Sequence, residues 1–160
     1  WYNLDLPETM AVRQSLLPES GGVTQSALSA MEDWGAEIAE KDAPVLVILE
    51  GLTMYLNQAD IRRIFAVIAD RFPKVTVLAE TMNPTMARRF KEKSIEGSRA
   101  KFTFGVKDGR TFAALLPGFR YAGEHCLTEG MAVFVPIYRL LHKIPAIRDL
   151  SNRIVVLERG

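Results

Sequence analysis

The chain has 160 residues, of which 48% are hydrophobic, and this is enough sequence for one domain with a core of its own. Its 20 Lys and Arg residues balance 19 Asp and Glu residues, and the net charge of +1 gives no electrostatic reason to expect a nucleic acid or a membrane as partner. No apolar run approaches the roughly 18 residues that a membrane-spanning helix needs. Because Cys126 is the only cysteine, no internal disulfide can form, and we expect a reducing, cytoplasmic setting.

The first forty residues predict short strands and helices in alternation. Residues 1–6 (WYNLDL) read as a strand that ends near Asp5, and Pro7 can open the next helix, because its missing N–H costs nothing at the first helical position. A brief strand is predicted within VTQSAL, residues 23–28. The stretch SAMEDWGAEIAEK, residues 29–41, has apolar residues at helical intervals.

The middle of the chain predicts two buried strands joined by a helix. PVLVILE, residues 44–50, is a continuous apolar run of the kind that suits a central strand covered on both faces. Asn57 is a good N-cap for a helix whose apolar residues form one stripe and which Pro73 stops. KVTVLAE, residues 74–80, is the second buried strand. Helices alternating with strands indicate crossover connections and a largely parallel sheet.

The last third of the chain is less regular. A short basic helix is predicted for residues 84–93, a strand or extended loop for 101–106, and a helix capped by Asp108 for 109–116. Further predictions are a strand at 119–127, a helix at 135–144 and a final strand at 153–159. Since the sequence contains no repeats, low-complexity segments or linkers, we expect residues 1–160 to form a single domain.

Three acidic residues, Asp5, Glu50 and Glu80, stand at the ends of predicted strands. Ligands of open α/β sheets bind beyond the carboxyl ends of the strands, and a carboxylate there can accept hydrogen bonds from ribose hydroxyls or meet a ligand's ammonium group. Other roles remain open: Asp5 can cap the helix at Pro7, and Glu50 can pair with an arginine or face water. We expect Glu80 to be structural or to lie on the substrate side.

The remaining polar residues predict no metal site. His125 and His142 do not combine with Cys126 at a spacing typical of metal ligands. His125 and Cys126 are neighbours in a predicted strand and therefore face opposite sides, which argues against a catalytic Cys–His pair. Tyr55 is, on its own, typical of a packed aromatic residue whose hydroxyl reaches solvent.

Several blocks of sequence, in this order, resemble the leucine carboxyl methyltransferase family, and more closely its bacterial branch of polyketide-type (tetracenomycin-like) O-methyltransferases. The blocks are YNLDLPE, SALSAMEDWGAEI, VILEGLTMYL and FPKVTVLAETMNP, followed by KFTFGVKDGRTFAALLPGFRY and IPAIRDLSNRIVVLE. The similarity covers essentially the whole chain, and the EG-x-x-x-YL block is its most specific part. The resemblance implies a class I methyltransferase sheet, Rossmann-like and mostly parallel with an antiparallel last strand, and S-adenosylmethionine as cofactor.

The resemblance also implies roles for residues near the ribose and adenine of that cofactor. Asp5 would hold the ribose hydroxyls, and Ser26 and Ala27 would lie beside the adenine. Other members of the family often carry an acidic residue near the position of Ser26.

Residues after the third predicted strand would serve the methionine half of the cofactor. The resemblance implies that Glu50 faces its ammonium group, that Gly51 lets the backbone turn closely, and that Tyr55 borders the site of methyl transfer. Glu50 at the end of an apolar strand is then explained by a cationic ligand.

The chain departs from the family before Trp1, where members have a basic residue, a glycine-rich first strand and loop, and helices of a substrate lid. The sheet predicted here therefore lacks its first strand. Disorder, truncation and a degenerate gene product are competing explanations, and we expect a fragment of a longer enzyme, because a missing central strand leaves backbone groups unpaired.

The predicted reaction is transfer of a methyl group from a sulfonium to an oxygen of a small-molecule hydroxyl or carboxylate. A carboxylate needs no general base, and we assign none. Two other functions remain open: a Rossmann-type nucleotide-dependent oxidoreductase, which Asp5 would also suit, and a non-catalytic methyltransferase-like remnant that serves as an interaction domain. The sequence does not predict the oligomeric state or the identity of the methyl acceptor.

Overall fold

The structure, a computed structural model, describes residues 1–18, 20–39, 43–89 and 100–160. In these ranges the strands are β1 (Tyr2–Asp5), β2 (Thr24–Ala27), β3 (Val45–Leu49), β4 (Val75–Thr81), β5 (Arg120–Cys126) and β6 (Arg153–Arg159). The α-helices are α1 (Pro7–Leu16), α2 (Gln58–Arg71), α3 (Pro84–Arg89), α4 (Gly109–Ala114), α5 (Leu127–Phe134), α6 (Tyr138–Leu141) and α7 (Pro145–Leu150). Two 3₁₀ turns occupy Trp34–Glu37 and Thr53–Tyr55.

The strands form two sheets. β1 and β2 pair in parallel, and the other four strands are ordered β3-β4-β6-β5. β3 and β4 are parallel, whereas β6 lies between β4 and β5 and is antiparallel to both. The predicted mixture of parallel strands with a reversed last strand is therefore confirmed. Within the described ranges no strand joins β1 to β3, as expected for a sheet without its first strand.

The core lies between α2 and the larger sheet. The predicted apolar stripe of α2 is buried, and its fully buried members are Ile61, Ile64, Phe65 and Ile68. The helix begins as predicted at Asn57, whose Oδ1 accepts hydrogen bonds from the N–H groups of Ala59 and Asp60. Each buried side chain of this size contributes roughly 1.5–3 kcal/mol, so burial of the stripe fixes α2 against β3 and β4.

The helix that the apolar spacing of residues 29–41 indicated does not form over most of that stretch. Only Trp34–Glu37 is helical, as a 3₁₀ turn, and residues 40–42 lie outside the described ranges. Trp34 packs against Phe72, with 6.1 Å between ring centroids, and a Cβ added to Gly35 would lie 2.9 Å from Cγ of Arg71. The close contact with the end of α2 therefore overrides the local helical pattern.

Residues 101–106 adopt the extended loop, which was one of two alternatives. The N–H groups of Thr103 and Phe104 both donate to the carbonyl of Met54, and Val106 N–H donates to the carbonyl of Met82. The loop thus passes the ends of β3 and β4. The predicted helix at 84–93 begins as expected, but its second part, from residue 90, lies outside the described residues.

The region between β5 and β6 contains more helix than predicted. α5 follows β5 directly, in a stretch for which no helix was predicted. The predicted helix at 135–144 is reduced to the single turn of α6, and α7 then begins at Pro145, a residue that suits a first helical position. None of the helices in the described ranges has the length and apolar character that crossing a bilayer requires.

Candidate functional site

Glu50 and Glu80 lie at the carboxyl ends of two neighbouring strands of the larger sheet. β3 and β4 pair in parallel, and the last pair of their register is Leu49 opposite Ala79. The next residue of each strand is therefore an acid, Glu50 after β3 and Glu80 in β4. Glu50 is exposed, and among the described residues its carboxylate has no hydrogen-bonding or ion-pairing partner. The alternative role of Glu50 as half of an arginine pair therefore has no support in the described part of the chain.

Gly51 makes the sharp turn that follows Glu50. Its φ is +61°, in the left-handed region that only glycine enters without strain. Its N–H donates to Oε2 of Glu80 at 2.9 Å, which ties the turn after β3 to the end of β4. The turn leaves Glu50 in solvent and brings the backbone of Gly51 to the wall of a cavity.

This cavity, which we call the apolar cavity, has a volume of about 530 Å³. Tyr55 forms one side of it, and its ring lies 5.1 Å from that of Phe102 at an angle of 36°. The other residues of the wall are Gly51, Met54, Glu80, Met82, Met86, Leu150, Ser151 and Asn152. The cavity can therefore hold a largely apolar molecule, with polar groups supplied on one side by Glu80, Ser151 and Asn152.

Asp5, Ser26 and Ala27 form a second group, at the carboxyl ends of β1 and β2. Asp5 pairs with Ala27 in the strand register, and both are exposed, whereas Ser26 is buried. Oδ1 of Asp5 accepts the N–H of Leu6 at 2.8 Å, but the N-cap position of α1 is Leu6 itself, so Asp5 is not the cap of this helix. This group does not line the apolar cavity, which Gly51 and Tyr55 do line.

A second, polar cavity of about 560 Å³ was not predicted from the sequence. Its centre is Arg153, a nearly buried side chain whose Nη1 lies 3.1 Å from Oε1 of Glu124 and whose Nη2 lies 3.9 Å from Oδ1 of Asp149. Asn83 extends this group by donating to the carbonyl of Asp149. The one sequence feature that could have indicated this cavity is Arg153, a charged residue at the start of an apolar strand. If such a residue is buried, its charge needs a partner.

Hydrogen bonds lower the pKa of two acids at this polar cavity. The hydroxyl and the N–H of Thr111 hold the pKa of Asp108 below its ordinary value. Desolvation raises the pKa of Glu129, but the hydrogen bonds that it accepts from Cys126 and His125 outweigh this and lower it. Cys126 is buried and His125 is exposed, but both side chains bond to the carboxylate of Glu129, so the prediction that they face opposite sides of a strand does not hold at the end of β5. In the described ranges no cluster of His, Cys, Asp or Glu could hold a metal ion.

The chain matches no protein-family model. It is similar to the tetracenomycin polyketide synthesis O-methyltransferase TcmP of Streptomyces glaucescens, with 28% identity over 131 residues. The match covers 81% of the chain but only 48% of the relative, so the chain spans about half the length of the curated relative that it matches. The predicted resemblance to the tetracenomycin-type branch is confirmed.

Solved structures agree in fold. An S-adenosylmethionine-dependent methyltransferase of Mesorhizobium loti superposes with a TM-score of 0.63 at 15% identity, covering 99% of this chain and 79% of that one. The magnesium protoporphyrin IX methyltransferase of Synechocystis, solved with S-adenosylhomocysteine bound, gives 0.52 at 13% identity, with 99% and 63% coverage. The chain has the class I methyltransferase fold. The predicted fold class is thereby confirmed.

Proposed function

We propose that the chain is part of an S-adenosylmethionine-dependent O-methyltransferase that acts on a hydroxyl or carboxylate of a small molecule. The observation that carries this proposal is the Glu50–Gly51 turn, which places an exposed carboxylate beside an apolar cavity at the carboxyl ends of β3 and β4. This is the edge at which open α/β sheets bind their ligands. The O-methyltransferase activity of the relative from Streptomyces supports the reaction type.

The residues at the two sheets suit the polar ends of S-adenosylmethionine. Asp5 is exposed and would accept hydrogen bonds from the ribose hydroxyls, with the buried Ser26 and the neighbouring Ala27 beside the adenine. Glu50, which has no cationic partner among the described residues, would meet the ammonium group. S-adenosylhomocysteine bound to the neighbour from Synechocystis supports this choice of cofactor.

The contribution of this chain to the reaction is alignment and charge. When bound, the cofactor supplies the methyl group from its sulfonium, which is already a good leaving group. Tyr55 borders the apolar cavity and limits where an acceptor oxygen can lie, and Gly51 makes the turn that brings the backbone to the cavity wall. Holding the two reactants in line lowers the entropic part of the barrier to such a transfer.

The apolar cavity is the proposed acceptor site. Its methionine and aromatic side chains favour an apolar, ring-bearing acceptor, and the polyketide pathway in the relative's name is consistent with one. We assign no general base. An ionised carboxylate would need none.

The extent of the enzyme is also part of the proposal. We propose that residues 1–160 form one domain that supplies the C-terminal part of the methyltransferase. The exposure of Leu46 and Ile48 supports this, because both lie on one face of β3 and strands of parallel sheets are usually covered on both faces. We further propose a cytoplasmic setting and a role in polyketide chemistry, and make no proposal about oligomeric state.

Calorimetric titration tests the proposed function. We expect the full-length protein to bind S-adenosylhomocysteine at one site per chain and not to bind NADH, because the reversed strand β6 and the glutamate turn belong to a methyltransferase site. Binding of NADH without binding of S-adenosylhomocysteine would favour the oxidoreductase. No binding of either ligand would favour a non-catalytic remnant.

A further inference from the structure

Glu80 connects three segments of the chain at the edge of the sheet. Its Oε2 accepts the N–H of Gly51 at 2.9 Å, and its Oε1 accepts a hydrogen bond from Nδ2 of Asn152 at 2.8 Å. Its own carbonyl accepts the hydroxyl of Thr53, which follows the same turn. The end of β4 is therefore bonded both to the turn after β3 and to the residue before β6.

Each carboxylate oxygen of Glu80 accepts a hydrogen bond from a different donor. A side chain at this position therefore needs two acceptor atoms to satisfy both donors as they stand. The side chains of Glu80 and Asn152 are both half-buried, so a lost bond would be only partly replaced by water. Gly51, at the other end of the link, has a φ of +61° and no side chain to hold it in place. The turn is thus held in its conformation from outside, by the carboxylate of Glu80.

This link lies between the two ligands of the proposed reaction. Gly51, Glu80 and Asn152 all line the apolar cavity, where the acceptor is proposed to bind, and Glu50 precedes Gly51 directly. A change in the orientation of the turn would move both the carboxylate of Glu50 and the cavity wall. The alignment of the two ligands therefore depends on a side chain that need not touch the cofactor.

We propose that Glu80 is a positioning residue of the methyltransferase site: it fixes the Glu50–Gly51 turn through Gly51 N–H and anchors it to Asn152. The proposal rests on the proposed function for its effect on cofactor binding, but the geometry of the link can be tested separately. It assigns Glu80 no proton transfer and no contact with the methyl group.

The test exchanges the two ends of the link. In Glu80→Ala both acceptors are lost, and in Asn152→Asp two carboxylates face each other. Glu80→Gln alone is no test, because Asn152 can turn its amide and accept from the new nitrogen. In the double variant of Glu80→Gln with Asn152→Asp the new amide oxygen accepts from Gly51 N–H, while its nitrogen donates to the carboxylate introduced at position 152. Both bonds are then restored, and the net charge equals that of the wild type.

In the full-length protein we expect each single variant to weaken binding of S-adenosylhomocysteine by about fivefold or more, and the double variant to return to within about twofold of the wild type. Hydrogen exchange of the Gly51 amide, measured without ligand, should be faster in Glu80→Ala and slow again in the double variant. Glu158→Ala is the matched control, since Glu158 is another strand glutamate, pairs with Arg120 and does not line the apolar cavity, and it should leave both quantities unchanged.

Three outcomes would overturn the proposal: affinity unchanged in the single variants, a double variant no better than the singles, or Gly51 exchange insensitive to Glu80→Ala. If Glu80→Ala does not fold, Asn152→Ala removes only the outer bond, and unchanged affinity there also overturns it. If the wild type does not bind S-adenosylhomocysteine, the proposed function fails, while Gly51 exchange still decides whether the link exists.

Discussion

At the scale of single residues, Gly51 shows how backbone conformation can matter more than a contact. A Cβ added at this position would meet nothing within 4 Å, so space does not require a glycine. The requirement is the φ of +61°, which costs an L-residue about 1–2 kcal/mol. The glycine is therefore needed for the direction of the chain between Glu50 and the apolar cavity.

Gly51→Ala should lower the free energy of unfolding by about 1–2 kcal/mol, because alanine pays for the left-handed conformation that glycine adopts freely. Gly130→Ala is the matched control: that position is equally open but lies within α5 at a negative φ, and alanine there should stabilise the helix by roughly 0.5–1 kcal/mol. Urea unfolding measures both. A free energy of unfolding in Gly51→Ala that is equal to or higher than that of the wild type would show that backbone strain at Gly51 is unimportant.

At the scale of elements, helix caps and ion pairs between neighbouring strands contribute to stability. Asp108 caps α4, as predicted, with Oδ1 accepting both the N–H and the hydroxyl of Thr111 at 2.7 Å. These bonds, the side-chain one first, lower the pKa of Asp108 in the folded state. A group with a depressed folded-state pKa stabilises the protein above its unfolded pKa, about 3.9 for Asp, and this contribution is lost as the pH falls through the folded value.

We expect Asp108→Ala to cost about 1 kcal/mol of unfolding free energy at pH 7, as is typical for a lost N-cap. The difference from the wild type should narrow as the pH falls below about 4, since the wild-type carboxylate then becomes protonated. Asp108→Asn retains a capping oxygen without a titrating group, so it should lose less stability than Asp108→Ala at pH 7 and approach the wild type below about pH 4. Denaturant unfolding between pH 7 and pH 3 measures this, and a deficit in Asp108→Ala that does not change with pH would contradict it.

The β5–β6 pair contains two ion pairs that differ mainly in burial. Arg153 and Glu124 have side chains 8% and 28% exposed, whereas Arg120 and Glu158 are 71% and 39% exposed. We expect Glu124→Ala to cost about 3 kcal/mol, because it removes the nearer carboxylate of the buried Arg153 and the acceptor of Gly109 N–H, and Glu158→Ala to cost less than about 1 kcal/mol. Chemical denaturation of the two variants decides the matter. Equal costs would mean that the polar cavity hydrates Arg153 well enough to replace Glu124.

At the scale of the whole molecule, the periodicity of apolar residues predicted the strands and helices whose formation depends on residues within the element itself. The strands at 44–50 and 74–80 and the helix from Asn57 form because each carries its own pattern of burial and capping. The reversed strand β6 was predicted through resemblance, since its apolar pattern does not specify its direction.

Contacts between distant parts of the chain explain what the sequence did not predict. Trp34 and Gly35 fit against α2, so their stretch does not continue as a helix. Arg153 finds Glu124 across a strand pair, and Glu80 finds Asn152 from 72 residues away. The spacing of residues along the sequence does not predict such contacts between distant residues. The roles of Asp5, Ser26, Ala27, Glu50, Gly51 and Tyr55 toward a cofactor stay predictions.

The central claim is that Glu50 faces the ammonium group of the cofactor. The affinity of the protein for S-adenosylhomocysteine, with and without the Glu50 carboxylate, tests this claim most directly. Calorimetric titration of the full-length protein should show binding weakened about tenfold or more in Glu50→Ala, with the free energy of unfolding within about 0.5 kcal/mol of the wild type, because the side chain is exposed and has no partner among the described residues. Glu8→Ala, at an exposed acid of α1, should leave the affinity unchanged. Equal affinities in wild type and Glu50→Ala would contradict the account.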